Sequence, residues 1–301
     1  MSTEGSLRAV LYALFANFGI FVAKGVAAWI TGSSSMLAEA IHSFADCGNQ
    51  GLLLLGMRDA KRAPDREHPL GYGKVVYFWA FLVAIMLFTI GGAFSIYEGA
   101  HKLFDAQPLS WPGVAIAVLA IGVVLESFSL AGCIREIRKV SRGRSLWQFF
   151  RHSRNSDLIV ILGEDLAALA GLAVALIAVS LALLTGNPVF DAAGSIVVGA
   201  LLILVAVLLV IEIKALITGQ SAEREVDEEL RAFISGRPEV AALFHLITLH
   251  MGNGIMLAVK ARMRETQDAS RLIDDVNRVE AALRQAFPQV EWLFFEPDNK
   301  N

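Results

Sequence analysis

From Leu166 to Leu184 no side chain carries a charge. At 1.5 Å per residue such a run reaches across most of a hydrocarbon layer roughly 30 Å thick, and few water-soluble folds can bury it on every side. It lies inside an apolar window, Leu158–Leu184, that has five companions: Leu7–Ile30, Met36–Met57, Val75–His101, Pro112–Ile134 and Val189–Ile217. Six membrane spans are expected. The charges fall elsewhere: residues 221–301 hold 10 Lys/Arg and 14 Asp/Glu, against 16 and 15 in the far longer stretch 1–220. That shift near Gly219 divides the chain into an expected transmembrane domain, 1–218, and a polar tail, 219–301.

Composition excludes other classes. With 55% hydrophobic and 18% charged residues the chain is too apolar for a disordered one. A net charge of -3 offers no basic field for a nucleic-acid backbone, so no nucleic-acid partner is expected. Cys47 and Cys133 form neither a disulfide framework nor a CxxC pair. Met1–Leu7 lacks a basic leader and Arg8 already opens a full span, so no cleavable signal is expected.

Basic residues set the orientation. Arg58, Lys61, Arg62 and Arg66 join spans two and three, and Arg135, Arg138, Lys139, Arg142, Arg144, Arg151 and Arg154 join spans four and five. The opposite connections, Thr31–Ser35, His101–Trp111 and Thr185–Asn187, carry only Lys102. Both termini and the tail are therefore expected on the cytoplasmic side, or its topological equivalent in an organelle.

Ionisable groups at bilayer depth are costly and face the protein interior or a wet cavity. In span two, His42 and Asp46 are four apart and Asn49 follows by three, which places them on one stripe of a helix. Glu39 precedes His42 by three and extends that stripe outward. Span five adds the adjacent acids Glu164 and Asp165, which point about 100° apart. Asp165 is the preferred of the two, because small residues follow it and let another helix approach. An imidazole, carboxylates and a carboxamide form a nitrogen/oxygen set for a divalent ion: zinc takes it tetrahedrally, manganese or iron with more oxygen. The competing reading is that His42 and Asp46 merely tie helices together. Asn17 and Lys24 share a face of span one, where Lys24 either neutralises a carboxylate or serves structure alone. Glu98, Glu126, Asp191 and Glu212 are read as solvated or capping groups near span ends, with Asp191 at a helix start.

The run Gly32-Ser-Ser-Ser-Met-Leu-Ala-Glu-Ala-Ile-His42-Ser-Phe-Ala-Asp46-Cys-Gly-Asn49-Gln50, followed by His68-Pro-Leu-Gly-Tyr-Gly-Lys74, resembles the cation diffusion facilitators, divalent-metal/proton antiporters that include the zinc transporters. Asp191 before a Gly/Ser-containing sixth span and the exit Leu216-Ile-Thr-Gly-Gln-Ser-Ala222 extend the likeness over nearly the whole chain. The resemblance implies two ligand pairs, each spaced by four, in spans two and five. The first maps onto His42 and Asp46. In the second, Asp165 fits, but four residues before it stands Ile161, which binds no metal. Glu164 is the favoured replacement, with Asn49, Asn17 or water behind it. The Glu164-Asp165 and Asn49-Gln50 pairs resemble the branch that holds a mitochondrial zinc exporter, zinc transporter nine, and bacterial relatives. A second family site lies in the loop after span two; here Asp65 and His68 match, but Tyr72 replaces a histidine, and a tight loop built by Pro64, Pro69, Gly71 and Gly73 is the favoured reading.

The tail reads as helix Val226–Ser235, strands Leu243–Leu249 and Ile255–Arg262 joined across Met251-Gly-Asn-Gly254, helix Ser270–Ala286 and strand Val290–Phe295. The expected fold is thus an all-α six-helix transmembrane domain followed by a small α+β ferredoxin-like cytoplasmic domain. The resemblance implies a homodimer joined through this tail. With only His245 and His250 there, a binuclear metal cluster is not expected.

The expected function is efflux of a divalent cation, Zn2+ first and Mn2+, Fe2+ or Co2+ as alternatives, in exchange for protons, with no prosthetic group and with membrane lipid as surroundings. The expected location is a bacterial inner (plasma) membrane. Two rivals are an intramembrane metalloenzyme, for which no HExxH, GxSxG or nucleophile-base set is present, and a non-transporting scaffold, which leaves His42, Asp46 and Asp165 at depth without a purpose.

Overall fold

The computed structural model describes residues 3–104, 111–141, 143–252, 254–266 and 268–300, and in the first helix the side chains of Leu14 and residues 17–31. Arg142 of the second basic loop, residues 105–110 of the His101–Trp111 connection and Asn253 of the hairpin lie outside the described residues. The chain divides into two compact units. One comprises residues 1–57, 78–151 and 155–213; the other comprises 58–77, 152–154 and 214–301.

The first unit is helical. It is built from α1 (Thr3–Thr31), α2 (Ser34–Asp59), a continuous rod made of α3 (Val75–Met86), a π-helical stretch (Leu87–Ala93) and α4 (Phe94–Phe104), then α5 (Pro112–Val140), α6 (Leu146–His152), α7 (Ser156–Thr185) and α8 (Val189–Thr218). Among the described residues, four are long and apolar enough to cross a membrane: Val75–Phe104, Pro112–Val140, Ser156–Thr185 and Val189–Thr218. Of α1, the segment Asn17–Thr31 is a shorter apolar helix. Helix α2 is long, but Glu39, His42, Asp46, Asn49 and Gln50 lower its hydropathy. The short α6 was not foreseen, because its seven residues lack any long-range period.

The helix ends follow their residues. Gly32, at φ +67°, ends α1 in the left-handed conformation, and its N–H donates to Ala28 O. Asn155 caps α7 by accepting from Leu158 N, and Asn187 caps α8 by accepting from Val189 N. The rod α3–α4 lies directly on α8: a Cβ at Gly99 would stand 2.7 Å from Ala192 O, and one at Gly199 2.6 Å from Gly92 O. Ser195 Oγ donates to Ser95 O across the same contact. Ala27, Ala28, Met36, Ala115, Leu119, Leu172, Ala175 and Val179 form one core, which fixes α1, α2, α5 and α7 around the polar stripe.

In the second unit, α9 (Arg224–Ser235), β1 (Val240–Met251), β2 (Gly254–Met263), α10 (Ala269–Ala286) and β3 (Val290–Pro297) follow the expected order. The sheet runs β1-β2-β3, antiparallel between β1 and β2 and parallel between β2 and β3. Leu230, Ile234, Leu257, Val259, Ala261, Val279 and Leu283 fill its core between the two helices and one sheet face. Residues 58–77 belong to this unit as well. The Tyr77 hydroxyl accepts from Gly252 N at 2.9 Å and is hydrogen-bonded to His250 Nδ1 at 2.7 Å.

Candidate functional site

Helix α2 presents the stripe as its spacing requires. His42 and Asn49 are fully buried and Asp46 nearly so, with His42 Nε2 3.7 Å from Asp46 Oδ2, beyond hydrogen-bond length. Asn49 Nδ2 donates to Glu164 Oε1 at 2.5 Å, which ties α2 to α7. Asp165, turned away from its neighbour as two consecutive helical residues must be, accepts from Ser129 Oγ of α5 at 3.2 Å. Glu164 thus addresses α2 and Asp165 addresses α5. Position 161 remains an isoleucine, half-buried.

Buried polar atoms nearly always find a partner. Here His42 Nδ1 and Nε2, Asp46 Oδ1, Asn49 Oδ1 and Asp165 Oδ2 have none among the described residues. Five such atoms on the residues singled out by spacing are a desolvation cost that a bound cation or protons would relieve. Among the described residues no three His, Cys, Asp or Glu side chains stand close enough to hold a metal ion in this arrangement. Ligation by these residues would need their side chains closer together than they stand here.

One sequence expectation is corrected and another is extended. Glu126 is no end-of-span solvated group: it is buried midway along α5, beside a cavity of about 670 Å³ that is also lined by Asn17, Lys24 and Ser129. Asp191 stands at a helix start, but its carboxylate serves another helix, accepting from the backbone nitrogens of Ser34 and Ser35 and the hydroxyls of Ser33 and Ser34. Lys24 does pair with a carboxylate, that of Glu39. Ser129 was missed, since a hydroxyl in an apolar helix gives no periodic signal.

In the loop after α2, Asp65 Oδ1 accepts from the backbone nitrogens of Glu67 and His68, and Tyr72 Oη donates to Asp65 Oδ2 at 2.6 Å. The Tyr72 hydroxyl and the His68 N–H hold the Asp65 carboxyl below its usual range. His68 Nδ1 lies 3.6 Å from Asp65 Oδ1, and its ring is tilted against Tyr72. Gly71, at φ +77°, completes a tight turn. In the tail, burial and the Arg154 guanidinium lower His250 to about 4, with Glu223 opposing them.

Residues 10–216 match the cation efflux transmembrane domain family. The chain is 33% identical over 295 residues to the mitochondrial proton-coupled zinc antiporter of Xenopus laevis, covering 94% of this chain and 53% of that protein. Metal tolerance protein C4 of Arabidopsis thaliana is 31% identical over 258 residues, 84% of this chain and 56% of the relative. Zinc transporter ZitB of Pectobacterium atrosepticum is 25% identical over 277 residues, 90% and 80% respectively. The chain spans about half the length of the first two relatives. A mitochondrial zinc antiporter stands among them, as the Glu164-Asp165 and Asn49-Gln50 pairs lead one to expect.

Proposed function

This chain belongs to the cation efflux family, and from that premise we propose that it exchanges a divalent cation for protons across a membrane. Zn2+ is the first candidate cargo, with Mn2+, Fe2+ and Co2+ behind it. The names of the relatives support this reading, since they include a proton-coupled zinc antiporter and a zinc transporter. The observation that carries it is the set of buried, unpartnered atoms on His42, Asp46, Asn49 and Asp165.

In this proposal His42 and Asp46 of α2 bind the ion together with Asp165 of α7, while Glu164 fills the place that Ile161 leaves open and Asn49 orients it. Metal ligands must be deprotonated, so protons and the cation compete for the same side chains. That competition couples the two fluxes: an ion loaded from the cytoplasmic side is expelled when protons take its ligands on the far side. The membrane region is read as six spans with both termini cytoplasmic, in a bacterial inner membrane. The tail is read as a ferredoxin-like unit that joins two copies of the chain into a homodimer.

Reconstituted vesicles test the reading. Zinc uptake driven by a pH gradient is expected for the native chain and is expected to vanish in Asp46→Ala and in Asp165→Ala. Uptake retained in both variants would remove the site; no uptake by the native chain would remove the function.

A further inference from the structure

Among the described residues, the most deeply buried positive charge of the helical unit lies outside the ligand set. Lys24 of α1, at 0% exposure, donates to Glu39 Oε2 at 3.1 Å and to Ser43 Oγ at 2.9 Å, both on α2. The other carboxylate oxygen of Glu39, Oε1, has no partner among the described residues. It lies against α7, where a Cβ at Gly171 would stand 2.5 Å from it. Three helices meet at this one ion pair. A buried ion pair is seldom more stabilising than apolar packing of the same volume, so stability alone is a poor account of it.

Its position along α2 gives a better one. Glu39 precedes His42 by three and Asp46 by seven, so it continues the same face toward the Ser34 end of the helix. Lys24, Glu39 and His42 are fully buried, as is Asn49 at the other end of the stripe. Lys24 also has a second carboxylate in reach of its cavity: it lies over Gly122, whose added Cβ would stand 3.6 Å from Lys24 Cε, and Glu126 is one turn further along α5 in the wall of the same cavity.

Resting on the transport reading above, we propose that Lys24 and Glu39 form the gate through which the cation leaves, with Lys24 a tethered cation that alternates between Glu39 and Glu126. An ion moving from His42 and Asp46 toward the Ser34 end meets Glu39 as the next carboxylate. It can take that carboxylate only by displacing the ammonium, which moves into the cavity toward Glu126. Once the ion has gone the ammonium returns, and re-binding from that side must displace it again. Lys24 is a positioning residue in this scheme, acting through Glu39 and not on the site itself.

The test uses the full chain in proteoliposomes with zinc as the probe, a zinc dye and a pH dye being read together to give protons returned per zinc ion. Lys24→Met alone strands a buried carboxylate, so the variant to make is the neutral pair Lys24→Met/Glu39→Gln. Gly171→Ala is the second variant; it crowds Glu39 Oε1 without changing charge. Both are expected to bind zinc in detergent within about threefold of the native chain, as residues outside the ligand set should. The neutral pair is expected to lose at least half of the protons returned per zinc, and Gly171→Ala a smaller but measurable share, because an open gate lets zinc leak. A native ratio in the neutral pair overturns the proposal, and so does loss of zinc binding there, which would place the pair in the site itself. If the neutral pair does not fold, a native ratio in Gly171→Ala overturns it. Native vesicles without proton-driven zinc flux would instead defeat the transport reading, a result seen before any variant is compared.

Discussion

Asp191, in the first turn of α8, caps α2 across 157 residues of sequence: its Oδ2 accepts from the backbone nitrogen of Ser34 at 2.6 Å. The Ser34 hydroxyl adds a second bond at 2.9 Å, Ser35 N gives Oδ1 a third, and Ser33 Oγ both donates to Oδ1 and accepts from Met36 N. The first three amide hydrogens of α2 are thereby satisfied, and the carboxylate stands at the positive end of the helix dipole. The helix that carries His42 and Asp46 is thus held at its start by the helix that follows α7.

Removing that cap should loosen α2. Asp191→Ala is expected to cost about 2–4 kcal/mol, the sum of a lost cap and of buried amide hydrogens left without partners. Asp191→Asn should cost less, because its amide oxygen still accepts from Ser34. Thermal unfolding in detergent checks the order; equal melting temperatures for native and Asp191→Ala chains would contradict it.

The Asn49–Glu164 bond should tune the cation site without creating it. Asn49→Ala leaves Glu164 unoriented and is expected to weaken zinc binding by about 10–100-fold, the usual effect of losing a group that positions a ligand. Glu164→Gln should weaken it further if Glu164 fills the place opposite Ile161. Calorimetric zinc titration decides; native affinity in Glu164→Gln would return that residue to a purely structural role.

The loop after α2 is expected to hold no ion of its own. Asp65 is already engaged by two backbone nitrogens and the Tyr72 hydroxyl, so His68→Ala should leave the number of zinc ions bound per chain unchanged. Native mass spectrometry counts them. One fewer ion in the variant would assign a site to the loop.

The tail should lose stability in mild acid. His250 titrates at about 4 in the folded protein, against about 6.5 when exposed, because burial and Arg154 disfavour its charged form. A lowered imidazole pKa means that the unfolded chain binds the extra proton between those values. Stability is therefore full above about pH 7 and falls as pH drops from 6.5 toward 4, by on the order of 1–3 kcal/mol. His250→Gln should flatten that slope in thermal melts at pH 7 and pH 5. An unchanged slope would mean that another group is responsible.

Much of this could be read from residues in order. The spacing of His42, Asp46 and Asn49 placed them on one face because a helix repeats every 3.6 residues whatever surrounds it. Met251–Gly254 marked the hairpin, because a turn depends on a few neighbouring dihedrals. The polar tail separated itself by composition, and its five elements followed with strands only a few residues longer than expected.

What sequence alone determined, then, was which residues share a face of a helix and roughly where the long helices lie. Which faces meet was decided by tertiary packing. That Glu164 turns to Asn49 and Asp165 to Ser129, that Lys24 reaches Glu39, that Asp191 caps a helix not its own and that Glu126 is buried all depend on how separate helices lie together. Periodicity is a property of one helix and fixes its stripe. A partner on another helix is fixed only when close-packed side chains, here Ala27, Leu119, Leu172 and their neighbours, set the distance and rotation between the two.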